Sequence, residues 1–134
     1  MKHKILLVTL LLLIASAGYA QQQDNKDEVI PFALVEDKPS FMGGNANEFS
    51  KWVSTQLKYP KEAKEAKQAG RVTLQFTVDV DGSVIDVQLL RGTRSKALND
   101  EAIRVTKSSP KWTPGKHKGK VVKVTYVFPV IFQL

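Results

Sequence analysis

The chain has 134 residues, a formal net charge of +7 and no cysteine. This length suits one domain with a modest core, and the lack of cysteine excludes disulfides and a lipid-modified cysteine. The excess of lysine and arginine over acidic residues favours an anionic partner.

The start of the chain has the pattern of a secretory signal peptide. Basic residues precede an apolar run from Ile5 to Ile14, and Gly18 and Ala20 have the spacing of a signal-peptidase site. A membrane-spanning helix needs roughly 20 apolar residues, and this run is shorter. We therefore expect a signal peptide over residues 1–20 that is cleaved after Ala20; an uncleaved inner-membrane anchor is the alternative. Export argues against nucleic acid as a partner.

The next residues predict a lead-in and then two helical segments. Residues 21–40 are polar at first and then interrupted by two prolines, which predicts a flexible or extended lead-in. Asn45 is the expected N-cap of a helix whose apolar face is Phe49, Trp52, Val53 and Leu57. Pro60 ends that helix and begins a second, short one, with Gly70 as its expected C-terminal cap.

A β-hairpin follows. Residues 72–80 alternate between apolar and polar, as in a half-buried strand. Asp81-Gly82 is the signature of a two-residue turn. That turn pairs Val78 with Ile85 and Leu74 with Leu89.

A third helix and a long strand complete the predicted elements. Asn99 is the expected N-cap of the helix, Ala102 and Val105 its inward residues, and Pro110 its end. The strand runs to the C-terminus and carries Pro129, which places it at a sheet edge. The predicted fold is α+β, with a three-stranded antiparallel sheet (the hairpin plus the C-terminal edge strand) and helices packed on one face.

Catalytic and metal-binding patterns are lacking in the sequence. His117 is a lone histidine among lysines and glycines, and neither a thiol nor a G-x-S-x-G nucleophile is present. The stretch "DVDG" at 79–82 lacks the spacing of a calcium loop. We therefore expect no enzyme, no cofactor and no metal.

The predicted edge strand is long and β-branched, which leaves two readings open. In one, Pro129 and Lys123 blunt the edge and the N-terminal segment covers Val127. In the other, the edge is open and accepts the strand of a partner. An open edge also leaves open a homodimer through edge strands.

Several landmarks follow one another in a characteristic order and spacing: Tyr59-Pro60, Ala63, Gly70, Asp81-Gly82, Leu98 with Glu101-Ala102, and Trp112-Thr-Pro-Gly before the last strand. By these landmarks, residues 37–134 resemble the TonB C-terminal domain family. The lead-in "DKPSFMGG" is similar to one branch of the family. We accordingly assign residues 41–134 to a TonB C-terminal-like domain.

The resemblance implies a periplasmic binding module. In the family, the domain docks the N-terminal TonB box of an outer-membrane receptor by adding it as a strand to the last strand. The partner-binding residues that this implies are Leu57, Lys58, Tyr59, Pro60, Val122, Lys123, Val124, Thr125, Tyr126 and Val127. Trp112 is expected to anchor beneath the sheet. The lysines that follow it are expected on a solvated loop.

Two further expectations concern function. A full transducer of this type carries a spanning helix and a long Pro-rich spacer, so a chain cleaved after Ala20 would bind a receptor without pulling on it. It would support or modulate TonB-dependent transport. The alternative is a structural module that binds the cell wall, an anionic envelope polymer, through the basic loop Lys111–Lys123.

Overall fold

The computed structural model describes residues 28–134, and the predicted signal peptide and residues 21–27 of the lead-in lie outside them. The strands are β1 (Val29–Pro31), β2 (Gly70–Val78), β3 (Val84–Arg91), β4 (Gly115–His117) and β5 (Lys120–Phe132). The helices are α1 (Ala46–Gln56), α2 (Lys61–Glu65) and α3 (Lys96–Lys107). The division of the chain at residues 20 and 40 stays a prediction.

The strands form one sheet in the order β1-β5-β2-β3, with β4 paired to the start of β5. β2 is antiparallel to β3 and to β5, and its pairing with β5 runs without a break from Gly70–Phe132 to Val78–Val124. β1 is parallel to β5. The α+β class is confirmed, but the sheet has two more short strands than the predicted three because β1 and β4 both pair with β5.

The main core lies between the sheet and the helices. The alternate residues Val72, Leu74, Phe76 and Val78 of β2 are fully buried, as the sequence pattern predicts. They cluster with residues of all three helices and of β5: Phe49 and Val53 of α1, Ala63 of α2, Leu98, Ala102 and Val105 of α3, and Phe128, Val130 and Phe132 of β5. Burial on one face of the sheet therefore holds all three helices in place.

The turn between β2 and β3 differs from the prediction. Of Asp81 and Gly82 only the glycine has a positive φ, at 88°. The loop therefore has three residues, 80–82, and is closed where the Asp79 N–H donates to the Ser83 carbonyl at 2.8 Å. Val78 consequently pairs with Val84 and not with Ile85. A bulge in β3 then shifts the register by one, and Leu74 pairs with Leu89 as predicted.

The helix ends follow the predictions in part. Asn45 caps α1 as expected, since its side chain accepts from the Asn47 N–H at 2.9 Å. The N-cap of α3 is Ser95 and not Asn99, because the helix begins one turn earlier than predicted. Asn99 instead accepts from the Thr93 N–H at 2.8 Å and so holds the preceding loop. Gly70 is the first residue of β2 and not a helix cap.

Candidate strand-docking edge

The two edges of β5 can be told apart by backbone direction. In a strand, the N–H and C=O of one residue point to the same edge, and those of the next residue point to the opposite edge. The Phe32 N–H donates to the Thr125 carbonyl at 2.9 Å, so Thr125 faces the β1 edge. Because the β5 register is regular, Val127, Pro129 and Ile131 face the same way. We call this side of β5 the outer edge.

The outer edge is covered only where β1 pairs with it, at residues 123–125. β4 lies on the other edge, which it shares with β2, because Lys116 exchanges main-chain hydrogen bonds with Asp37 and so leaves Gly115 and His117 to pair with Val122 and Lys120 of β5. Within the described part of the chain, no strand pairs with the outer edge from Val127 to Ile131. The predicted edge strand is thus paired on both sides at residues 123–125 and open on its outer edge from Val127 to Ile131, a stretch that we call the open half.

Of the predicted partner-binding residues of β5, Lys123, Val124 and Thr125 are paired with β1. Val122 and Val124 are buried against Ile30 and Val35, and Lys123 and Thr125 are on the opposite face of the sheet. The ring of Tyr126 lies 4.7 Å from that of Phe32, and burial raises the pKa of its hydroxyl. Val127 is 49 % exposed, so the N-terminal segment covers its neighbours and not Val127 itself.

The other predicted group, residues 57–60, lies at the far end of β5. The ring of Tyr59 meets Phe132 edge-on at 5.6 Å, and its hydroxyl donates to the Gln68 carbonyl. Leu57 helps to line a hollow of about 230 Å³, together with Ser50, Val53, Ser54, Pro129, Val130 and Ile131. The structure therefore brings Leu57 and Tyr59 to the last residues of β5, Pro129–Phe132, and not to residues 122–125.

Glu101 positions this segment, a role that is not among those predicted from the sequence. Its carboxylate accepts from the Lys58 N–H at 2.7 Å and from the Arg104 guanidinium at 2.6 and 2.8 Å. The bonds to Arg104 in particular hold the pKa of the carboxyl below its usual value, against the effect of burial. The sequence does carry a signal, because Glu101 falls on the inward stripe of α3 with Leu98, Ala102 and Val105.

The stretch around Trp112 confirms the expected anchor. The indole ring is buried, with Phe41, Phe49 and Phe76 at centroid distances of 5.2, 5.0 and 5.7 Å. The basic stretch after it is a hairpin of β4 and β5, turned by Lys118-Gly119, both with positive φ.

The fold and the order of its elements correspond to a known family. The model for the C-terminal part of the Gram-negative bacterial TonB protein matches residues 55–134. The chain belongs to the TonB C-terminal family. TonB proteins carry this domain in the periplasm, and the family consists of energy transducers and binding proteins, not enzymes.

Individual relatives agree with the TonB assignment. The chain is 26 % identical over 98 residues to a TonB protein of Helicobacter pylori and 29 % identical over 79 residues to that of a second strain. These matches cover 70 % and 56 % of this chain but only 34 % and 28 % of the relatives, so the chain spans about a third of their length.

Solved structures show the same fold. Two solution structures of the Helicobacter pylori TonB C-terminal domain match with TM-scores of 0.51 and 0.52, both at 25 % identity. They cover 65 % and 70 % of this chain, and 90 % and 88 % of their own length.

Other site types find no support between residues 28 and 134. This part of the TonB-like chain contains no group of three histidine, cysteine or acidic residues that could hold a metal ion. None of its helices has the length and apolar character needed to span a bilayer. His117 accepts from the Glu36 N–H at 3.2 Å and so has a structural partner.

Proposed function

We propose that this chain is a periplasmic TonB-type module that docks the TonB box of an outer-membrane receptor by strand addition. It would thereby support or modulate TonB-dependent transport. The observation that carries the proposal is the open half of the outer edge, Val127–Ile131. Both terminal residues of this stretch are 49 % exposed, and none of residues 124–134 is charged.

The opposite edge of the sheet supports this choice of site. β3 is also unpaired on its outer side within the described residues, but a bulge and the exposed charges of Asp86 and Arg91 interrupt it. Proteins commonly protect sheet edges in this way against strand addition. The open half of β5 has Pro129 as its single such feature.

Strand addition would draw on both backbone and side chains. Val127 and Ile131 each offer an outward N–H and C=O. Main-chain hydrogen bonds of this kind provide the affinity when a partner adds a strand to a sheet. The hollow beside Leu57 can take one alternate side chain of the docked strand. The exposed lysines of the β4–β5 hairpin can steer an acidic receptor surface towards the edge.

An amide-shift titration of the chain from Gln21 tests the proposal. The probes are synthetic peptides of the N-terminal segments of outer-membrane receptors from the same cell. We expect shifts along β5 from Val121 to Phe132 and at residues 57–60.

A proline substitution then tests strand addition itself. Val127→Pro removes an outward N–H and leaves the β2 ladder intact, so it should weaken peptide binding at least about tenfold. Val127→Thr keeps both the N–H and the β-branched shape and is the matched control. Binding by Val127→Pro at the strength of the unaltered chain would contradict strand addition.

Anionic envelope polymer is the second candidate. No acidic residue follows Glu101 in the sequence, and Lys116, Lys118 and Lys120 are exposed on the hairpin. However, the Glu36 carboxylate accepts from the Lys118 N–H at 3.1 Å, so acidic lead-in residues already lie beside this basic surface. Salt-sensitive co-sedimentation with isolated cell wall, without peptide-induced shifts on β5, would favour this candidate over strand addition.

A further inference from the structure

β1 occupies the part of the outer edge that a docked strand would need. It runs parallel to β5, with Val29, Ile30 and Pro31 opposite Lys123, Val124 and Thr125. We propose that β1 is a resident strand that the partner displaces. The incoming strand then runs parallel to β5, with an aliphatic side chain in place of Ile30 and a large apolar one in place of Phe32. This inference rests on the proposed function and adds a competing internal strand to it.

The open half alone offers an incomplete set of main-chain hydrogen bonds to a docked strand. Pro129 has no N–H, so Val127 and Ile131 are the two donors that face outward along residues 126–132, and they are not consecutive on that edge. A strand docked only there would have an unpaired carbonyl opposite the proline. If β1 leaves, Lys123, Thr125 and Val127 present three consecutive outward pairs of N–H and C=O.

β1 is held by few contacts. It has three residues, and of its side chains only that of Ile30 is buried. Ile30 belongs to a small cluster with Val35, Val122 and Val124 that is separate from the main core. Just after Phe32 the chain turns away from the sheet, where the Leu34 N–H donates to the Pro31 carbonyl at 2.9 Å. A short parallel pairing of this kind can open without the rest of the domain.

The lead-in stays attached when β1 opens. Asp37 and Ser40 make isolated bridges to Lys116 and Thr113, and Phe41 is fully buried in the main core. These contacts lie between β1 and α1 in the sequence. The domain therefore keeps its core while residues 28–32 are displaced.

β1 also shows which side chains the edge accepts. Ile30 and Phe32 are two residues apart and so lie on the same face of the strand. The first contacts Val122 and Val124, and the second lies over Tyr126 at a ring angle of 46°. A partner strand with an aliphatic residue followed two positions later by a large apolar one would reproduce both contacts.

A reversible cross-link tests displacement. Val29 and Lys123 are directly opposite on the face away from the Ile30 cluster, and the chain has no native cysteine. In the Val29→Cys/Lys123→Cys variant of the chain from Gln21, the oxidised form should bind the receptor peptides at least about tenfold more weakly than the reduced form. The reduced form of the same variant is the control for both substitutions.

A loosened variant tests the opposite direction. Ile30→Ala/Phe32→Ala removes the contacts of β1, so the open state is more populated and peptide affinity should rise about tenfold. Leu34→Ala, an exposed position in the same segment, is the matched control.

The outcomes separate this inference from the proposed function. Equal binding by the oxidised and reduced forms would overturn displacement and leave receptor docking intact. Failure of every form to bind peptide, the loosened variant included, would overturn receptor docking and displacement together. Peptide-resistant dimerisation of the loosened variant would show that the edge takes a second copy, which also overturns displacement by a receptor strand.

Discussion

Glu101 couples α3 to the residues that precede Pro60. Arg104 lies three residues further along the helix and donates two hydrogen bonds to this carboxylate, which also accepts from the Lys58 N–H. A carboxylate at this depth is stable only with such partners. The geometry of the segment beside the outer edge thus depends on one acidic side chain on a different element.

Glu101→Gln should lower the free energy of unfolding by about 2 kcal/mol at pH 7, because charge-assisted bonds to Arg104 are replaced by weaker ones. Denaturant unfolding measures the change. Asp100→Asn is the neighbouring control: its pair with Lys96 is exposed, so the change there should stay below about 0.5 kcal/mol.

The effect of Glu101 should also depend on pH. The bonds to Arg104 lower the pKa of this carboxyl in the folded chain from the ordinary value of 4.5. Because the folded pKa is the lower one, the stabilisation is fully present above the unfolded pKa of 4.5 and is lost as the pH falls from there through the folded pKa. The stability difference between the unaltered chain and Glu101→Gln should therefore shrink below about pH 4.5. A difference of the same size at pH 3 and pH 7 would contradict this account.

Gly82 and Gly119 have similar backbone angles but different surroundings. Their φ values are 88° and 77°, and a Cβ on Gly82 would lie 2.0 Å from the Trp112 carbonyl oxygen, whereas one on Gly119 would meet no atom within 4 Å. Gly119→Ala should cost about 1 kcal/mol from backbone strain alone. Gly82→Ala should cost more than about 3 kcal/mol, because it also displaces the Trp112 backbone. Equal melting temperatures for the two variants would contradict this difference.

At the scale of elements, the two hairpins show what local sequence can predict. Asp81-Gly82 has the strongest two-residue turn signature in the chain, yet it lies in a three-residue loop, because the Asp79 N–H bonds to the Ser83 carbonyl and closes the loop around residues 80–82. The two-residue turn is Lys118-Gly119, whose lysine gives no such signal. The interior faces of the helices and of β2 were predictable because they repeat with a regular period. The length of the β2–β3 turn was not predictable, because it depends on a single hydrogen bond between Asp79 and Ser83 that has no sequence pattern.

Pro129 limits what the open half of β5 can bind. Pro129→Val would restore an outward N–H between Val127 and Ile131 and complete an apolar, uncharged edge. We expect greater concentration-dependent self-association than in the unaltered chain, measured by sedimentation velocity. Ile131→Val keeps the existing pattern of donors and is the control. Identical sedimentation of all three chains would mean that the proline does not protect this edge.

At the scale of the whole molecule, the core extends beyond the region that matches the family model. That region begins at residue 55, whereas Phe41 and Phe49 are fully buried and meet edge-on at 5.1 Å. Phe41→Ala should therefore lower the free energy of unfolding by about 3–5 kcal/mol. Met42→Ala, at the exposed next position, should change it by less than about 0.5 kcal/mol. A small effect of Phe41→Ala would show that the folded unit begins after the lead-in.

The fold and the docking edge differ in how far they could be predicted. The α+β sheet with helices on one face follows from the periods of α1, β2 and α3, which are local properties of the chain. The place of β1 could not be derived in this way, since Val29 meets Lys123 only in the folded chain and parallel pairing has no turn to announce it. The sequence therefore leaves open whether the N-terminal segment covers the edge, and the contact of Glu101 with Lys58 is non-local in the same way.

The parallel direction of β1 has a mechanical consequence. Tension applied at Glu28 along the axis of β5 would load the few hydrogen bonds of β1 in shear. The Asp37 and Ser40 bridges come next along the chain, and the aromatic contacts of Phe41 come last. We therefore expect force on the lead-in to release β1 well before the core is strained, so that a pull from the N-terminal side exposes the outer edge while the domain stays folded.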